Sequence, residues 1–296
     1  MNEPNKPNLD VIIVGAGFAG LYLLHKFRQM GLSARAFETG DDVGGTWYWN
    51  RYPGARCDIE SIDYSFSFDP YLEQEWEWSE KYATQPEILR YAQHVAERFD
   101  LCRDITFGTR VEQAVWNEHA SCWSVTTDQG ETVSGRFFIM ATGCLSQPKD
   151  IDIDGIENFT GEIYRTHSWP HEGVDFSGKT VGIIGTGSSG IQSIPLIAAQ
   201  AEHTTVFQRT ANYSIPAGNG PIAPEKLAVK KRYQDYREEA RWTKVGVPGK
   251  EAMDFALTVP EEERQQRYEE LWDTGAIPHL ASEFADLLLD EKANDT

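Results

Sequence analysis

Cysteine is scarce in this 296-residue chain: Cys57, Cys102, Cys122 and Cys144 are widely spaced and form no Cys-x-x-Cys pair. That spacing supports neither a zinc site nor a disulfide framework, and it leaves no redox-active cysteine pair. A reducing cytoplasm is the expected setting. Basic residues are in deficit as well, with Lys plus Arg totalling 27 against 46 Asp plus Glu, for a net charge of -19. Such a surface repels phosphate, so nucleic acid and anionic membrane are discounted as partners. Long apolar runs are also missing. Two charge-free stretches, residues 11–24 and 180–201, are interrupted by glycines. Neither supplies the roughly 20 consecutive apolar residues of a membrane-spanning helix. The polar, proline-punctuated start shows no basic region followed by an apolar stretch, so no secretory signal is expected.

What is present is a repeated pattern in a chain long enough for two cores. Residues 9–14 are a short apolar run leading into Gly15-Ala16-Gly17-Phe18-Ala19-Gly20, residues 21–30 repeat apolar positions at helical spacing, and residues 33–37 return as a strand. Residues 76–99 are rich in charged and helix-forming types. Residues 105–139 alternate and are broken by Asn117-Glu118 and Asp128-Gln129-Gly130, which predicts a β-meander. A linker over 148–161 precedes a second strand at 180–184, the loop Gly185-Thr186-Gly187-Ser188-Ser189-Gly190, a helix at 191–201 and a strand at 204–208. Strand, glycine loop, helix and strand thus occur twice.

The fold class is α/β, with two Rossmann-type dinucleotide-binding domains and a helical segment. The expected division is 1–147 for the first nucleotide domain, 148–212 for the linker and second, and 213–296 for charged helical stretches such as 225–241 and 261–272. The pattern over 281–296 has no evident partner. A doubly wound domain needs several parallel strands, and nothing after Gln208 reads as one. The sheets are therefore expected to be incomplete: either the chain is truncated, or a second polypeptide supplies the C-terminal half.

The glycine spacing has a steric and electrostatic basis. Glycines permit a tight turn and close backbone approach, so that a pyrophosphate can rest on the helix N-terminus. Glu38, 23 residues after Gly15 at the end of the second strand, is placed to accept hydrogen bonds from ribose hydroxyls. At the corresponding place after the second loop stand Arg209 and Thr210, and an arginine there pairs with a 2′-phosphate. NADP is favoured over NAD. Two dinucleotide sites in one chain imply electron transfer between a nicotinamide and a bound flavin.

Two further stretches narrow the reading. Residues 159–170, Phe-Thr-Gly-Glu-Ile-Tyr-Arg-Thr-His-Ser-Trp-Pro, resemble the Baeyer-Villiger monooxygenase fingerprint F-x-G-x-x-x-H-x-x-x-W-P at all defined positions but one, where Arg165 replaces the histidine. Residues 44–58, Gly-Gly-Thr-Trp-Tyr-Trp-Asn-Arg-Tyr-Pro-Gly-Ala-Arg-Cys-Asp, are similar to that family's second long motif throughout. The resemblance covers essentially the whole chain and is strongest to the phenylacetone and cyclohexanone monooxygenase group.

It implies FAD and NADP(H) as cofactors, O2 and a small-molecule ketone as substrates, and ketone oxygenation to an ester or lactone through a C4a-peroxyflavin. It also implies a flavin-side role for Asp58 beside the isoalloxazine ring, for Tyr64, and for Gly45, Thr46 and Trp47, with Val111 completing the expected contacts. Asp58, Arg165 and Trp169 are the implied catalytic residues: Asp58 partners an arginine that stabilises the peroxyflavin and the tetrahedral adduct, and Arg165 stands where the family's histidine couples the domains during the cycle and can still donate hydrogen bonds. His167 is the nearest histidine upstream of Trp169. Two alternatives stay open, an N- or S-oxygenating flavin monooxygenase and a noncatalytic flavin-binding remnant.

Overall fold

The structure, a computed structural model, describes residues 7–145, 152–212, 214–243, 246–248, 252–274 and 283–296. The linker's first residues, 148–151, and the start of the last helical pattern, 281–282, lie outside them. In chain order the elements begin with β1 (Leu9–Val14), α1 (Phe18–Gln29), β2 (Ala34–Phe37), α2 (Thr46–Trp49), α3 (Pro70–Glu75), α4 (Gln85–Arg98) and β3 (Ile105–Thr106). They continue with β4 (Val111–Asn117), β5 (Cys122–Thr127), β6 (Thr132–Met140), β7 (Thr180–Ile184), α5 (Ser188–Ala198) and β8 (His203–Phe207). The helices that follow among the described residues are α6 (Pro224–Val229), α7 (Tyr233–Arg241), α8 (Glu261–Thr274) and α9 (Glu291–Asn294).

The chain packs as two compact units, one of Met1–Ala55 with Thr84–Phe207 and one of Arg56–Ala83 with Gln208–Thr296. The first unit therefore contains both glycine loops. Residues 56–83, expected within the first nucleotide domain, pack instead with the helical segment, because Ile62 shares a buried cluster with Tyr233 and Tyr236.

In the first unit a six-stranded sheet runs in the order β3-β2-β1-β6-β5-β4. β1 pairs in parallel with β2 and β6, and β2 with β3. The predicted meander is present, with β5 antiparallel to both β4 and β6. β1 sits in the middle, and Val11, Ile12 and Ile13 are completely buried, as expected for a strand covered on both faces. Its register places Val14 beside Phe37 and Met140. The four parallel strands end together, so the loop at Gly15 leaves the sheet at the carboxyl edge where α/β folds bind ligands.

α4 starts after Thr84 with a proline in its first turn, and it buries Ile88, Leu89, Ala92, Val95 and Ala96 at helical spacing. The second repeat forms a two-stranded parallel sheet, β7 with β8, from Thr180 opposite His203 to Ile184 opposite Phe207.

Among the described residues, the regular elements of the second unit are helices. Arg237 on α7 organises its first half: its guanidinium donates to the Ile62 carbonyl (2.8 Å) and the Ser65 hydroxyl (2.6 Å), and it pairs with the buried Glu73 (3.4 Å). The C-terminal pattern does acquire a partner: Phe284, Leu287 and Ala293 bury against Ala256, with Val259 and Tyr268 alongside. The Leu287-Leu288-Leu289 run divides, since a turn covers Leu287 and leaves Leu288 and Leu289 exposed.

Candidate functional site

The first glycine loop is a cradle that only glycine fits. Gly15 has φ +102°, and a methyl group there would lie 2.7 Å from the Ala141 carbonyl oxygen. At Gly20 a methyl group would fall 2.1 Å from the carbonyl oxygen of Gly15. Gly17 precedes α1 in extended conformation and no side chain caps that helix. The first N–H groups of a helix have no intrahelical acceptor, so this N-terminus fits an anion. Ala19 is exposed in the same turn and Phe18 is half-buried, its ring edge-on to Tyr91 at 6.1 Å.

Glu38 is nearly buried, at 6% exposure. One carboxylate oxygen accepts from the Ala16 N–H (2.8 Å) and the other from the Gly40 N–H (2.9 Å). The side chain thus ties the loop to the end of β2. Each carboxylate oxygen has two lone pairs, so acceptor capacity remains for a ribose hydroxyl. This donor and acceptor set fits the adenosine diphosphate portion of a dinucleotide.

The second loop repeats the geometry. Gly185 has φ +101°, a methyl group at Gly190 would lie 2.4 Å from the Gly185 carbonyl oxygen, and Gly187 precedes α5 with no side-chain cap. Thr186 and Ser189 are half-buried and Ser188 is exposed in this turn. Arg209 and Thr210 are exposed just past the end of β8, in the second unit's segment.

Residues 44–55 link the two repeats within the first unit. The Gly44 N–H donates to the Ala16 carbonyl (3.1 Å). Gly45, with φ +54°, comes so close that a methyl group there would meet the Gly17 Cα at 2.8 Å. Thr46 then opens the single turn α2, with Trp47 and Tyr48 buried. At the far end the Tyr52 hydroxyl donates to Gln192 Oε1 on α5 (2.9 Å). Trp169, 6% exposed, packs with Phe176 and Ile197, and Tyr52, Tyr164, Val181 and Ile183 border that cluster.

Trp169 therefore packs beneath α5. Arg165 is half-buried at the start of the 3-10 turn Thr166–Ser168. His167 is held below the ordinary imidazole range by partial burial and then by the neighbouring Arg165 charge. Val111 packs against the core cluster of Ile12, Phe37, Val125 and Val133. Asp58, exposed, and Tyr64, half-buried, belong to the second unit.

Sequence reasoning left Tyr52, Gly54 and Gln192 without roles. Tyr52 and Gly54 lay inside a quoted motif, but no local signal links them to Gln192, 140 residues from Tyr52.

All four cysteines are free, and burial pushes the Cys57 thiol up to about 11, so it resists ionisation at neutral pH. Among the described residues no group of acidic, histidine and cysteine side chains could hold a metal, and no helix is long and apolar enough to cross a membrane.

The sequence pattern of pyridine nucleotide-disulphide oxidoreductases matches residues 12–237. The chain belongs to that family. Its homologues are Baeyer-Villiger and related monooxygenases. It is 42% identical over 291 residues to a Baeyer-Villiger monooxygenase of Pseudooceanicola batsensis, covering 97% of this chain and 53% of the relative. To phenazine N-monooxygenase PhzNO1 of Lysobacter antibioticus it is 39% identical, covering 99% and 55%.

Among solved structures it resembles oxidized steroid monooxygenase bound to NADP, with a TM-score of 0.92, 57% identity, and coverage of 97% of this chain and 55% of the other. A complex of OTEMO with FAD and NADP matches with a TM-score of 0.91, 41% identity, and coverage of 98% and 56%. The chain thus spans about half the length of the relatives it matches.

Proposed function

We propose that this chain forms the nucleotide-binding half of an NADPH- and O2-dependent flavin monooxygenase that converts a small ketone to an ester or lactone. The observation that carries the reading is the pair of uncapped, glycine-built loops in one compact unit, bridged by residues 44–55. The named relatives and the FAD- and NADP-bound neighbours support it. In this reading residues 1–147 hold FAD, residues 148–212 hold NADP, and residues 213–296 are the helical segment.

Bound FAD, reduced by NADPH, supplies the two-electron activation of O2 that ketone oxygenation requires. The chain's own residues bind and orient. Gly15, Gly17, Phe18, Ala19 and Gly20 present backbone N–H groups to the FAD pyrophosphate, and Glu38 accepts from its ribose. Gly45, Thr46, Trp47, Asp58, Tyr64 and Val111 are assigned to the flavin side, and Gly185 to Gly190 to the NADP pyrophosphate. Arg209 and Thr210 take the 2′-phosphate, for which a guanidinium suits better than an acid. Arg165 is assigned to coupling the nucleotide regions and Trp169 to seating α5. Both act within a reducing, cytoplasmic setting.

The other half of the relatives' length is assigned to a C-terminal polypeptide that completes the sheets and the substrate pocket. A second reading, N-oxygenation of an amine-like substrate, is favoured by the 39% identity to the phenazine enzyme. It shares every cofactor assignment and differs only in the acceptor.

The test is the visible spectrum of the purified chain before and after anaerobic NADPH. A flavin spectrum that bleaches is expected. Colourless protein that remains colourless with added FAD overturns the reading, and ketone against amine turnover separates its two forms.

A further inference from the structure

Residues 44–55 touch both glycine-loop repeats, and the way they do so suggests a mechanical role. Their first contact is with the first loop, through the hydrogen bond from Gly44 to Ala16 and the close passage of Gly45 over Gly17. The middle is stiffened by α2 and by Gln85 on α4. That side chain donates to the Trp47 carbonyl, and its backbone N–H donates to the Ala55 carbonyl (2.8 Å).

The last contact is with α5. Gly54 has φ +81°, and a methyl group there would lie 2.2 Å from the Gln192 carbonyl oxygen and 3.2 Å from Leu196. Two residues earlier, the Tyr52 hydroxyl bonds the Gln192 side chain, while its ring borders the Trp169 and Ile197 cluster. Gln192 is the fifth residue of α5, one turn past the N-terminus assigned to the second nucleotide. The first loop is therefore joined through a short, hydrogen-bonded strut to the helix that opens at the second.

We propose that Tyr52, Gly54 and Gln192 are positioning residues that couple the two nucleotide sites energetically, so that occupation of one tightens the other. This rests on the reading of the two loops as dinucleotide sites. Coupling is reciprocal between ligands, and a free energy of the usual size corresponds to at least about 5-fold in affinity. The side-chain contact is polar and local, so removing one hydroxyl tests it without deleting packing.

The measurement is the FAD dissociation constant of the full chain with and without saturating NADP+, followed by flavin fluorescence. In the wild type NADP+ is expected to tighten FAD about 5-fold or more. In Tyr52→Phe and Gln192→Leu that ratio falls toward one, whereas Gln192→Glu, which keeps an oxygen for the Tyr52 hydroxyl, retains it. A residue of merely structural importance changes both constants together and leaves the ratio standing.

Gly54→Ala is expected to abolish the ratio as well, but the ring-preserving Tyr52→Phe carries the decision because it folds without a steric clash. An unchanged ratio in Tyr52→Phe overturns the coupling, as does a wild-type ratio of one with both nucleotides bound. Wild-type protein that takes up neither nucleotide overturns the underlying reading together with it.

Discussion

A methyl group at Gly20 would sit 2.1 Å from the Gly15 carbonyl oxygen, and one at Gly190 would sit 2.4 Å from that of Gly185. These are backbone collisions that no rotamer change relieves, so the spacing of the glycines is legible from sequence alone. Glu38 was legible for a related reason, since an acid at the end of a second parallel strand lies beside the first loop. Its two backbone donors were not legible. They lead to a prediction: Glu38→Gln replaces one accepting oxygen by an amide NH2 that faces an N–H, which leaves a buried donor unsatisfied. A loss of about 1–3 kcal/mol is expected in denaturant unfolding, with weaker FAD uptake. Unchanged stability would mean that Ala16 and Gly40 find other acceptors.

The elements β1, β2, β7 and β8 follow the apolar runs closely, and the meander follows its turn residues. What lay beyond local pattern was the assembly under α5. Trp169 is reached from a linker that carries no periodic signal, yet it becomes the centre of a buried aromatic group, with Tyr164 at 5.7 Å and Phe176 at 6.1 Å between ring centroids. Trp169→Ala is expected to cost about 3–5 kcal/mol, as for other large-to-small core changes, and Trp169→Phe distinctly less. Denaturant unfolding followed by far-UV circular dichroism measures both. If Trp169→Phe keeps full stability but loses NADP+ affinity more than tenfold, the indole acts on the nucleotide rather than through the packing of α5.

On the scale of the whole molecule, the first unit leaves several large apolar side chains exposed. Phe137 and Met140 on β6 are 51% and 72% exposed, and Ile184 on β7 and Phe207 on β8 are 71% and 56% exposed. An apolar groove lined by Phe27, Met30 and Leu32 from α1 and the turn after it, and by Trp123, Phe137 and Ile139 from the sheet, lies on the same unit. An exposed apolar groove of this kind is the face expected to meet a partner. The chain is expected to bind a hydrophobic reporter dye such as anilinonaphthalene sulfonate, with the signal lowered by Phe137→Ser and by adding the polypeptide that corresponds to the relatives' other half. Dye fluorescence indifferent to both would remove that polypeptide as the cover of this face.

The amino-acid order by itself determined the two strand–glycine–helix units and the acid and the arginine that follow them. Each depends on residues close in sequence, where sterics and periodicity act directly. Only the tertiary structure decided that residues 56–83 join the helical unit, that Trp169 packs beneath α5, and that Tyr52 and Gln192 meet. Those outcomes depend on which distant surfaces exclude water together. Burial is a property of the assembled chain, and no local pattern encodes its partners.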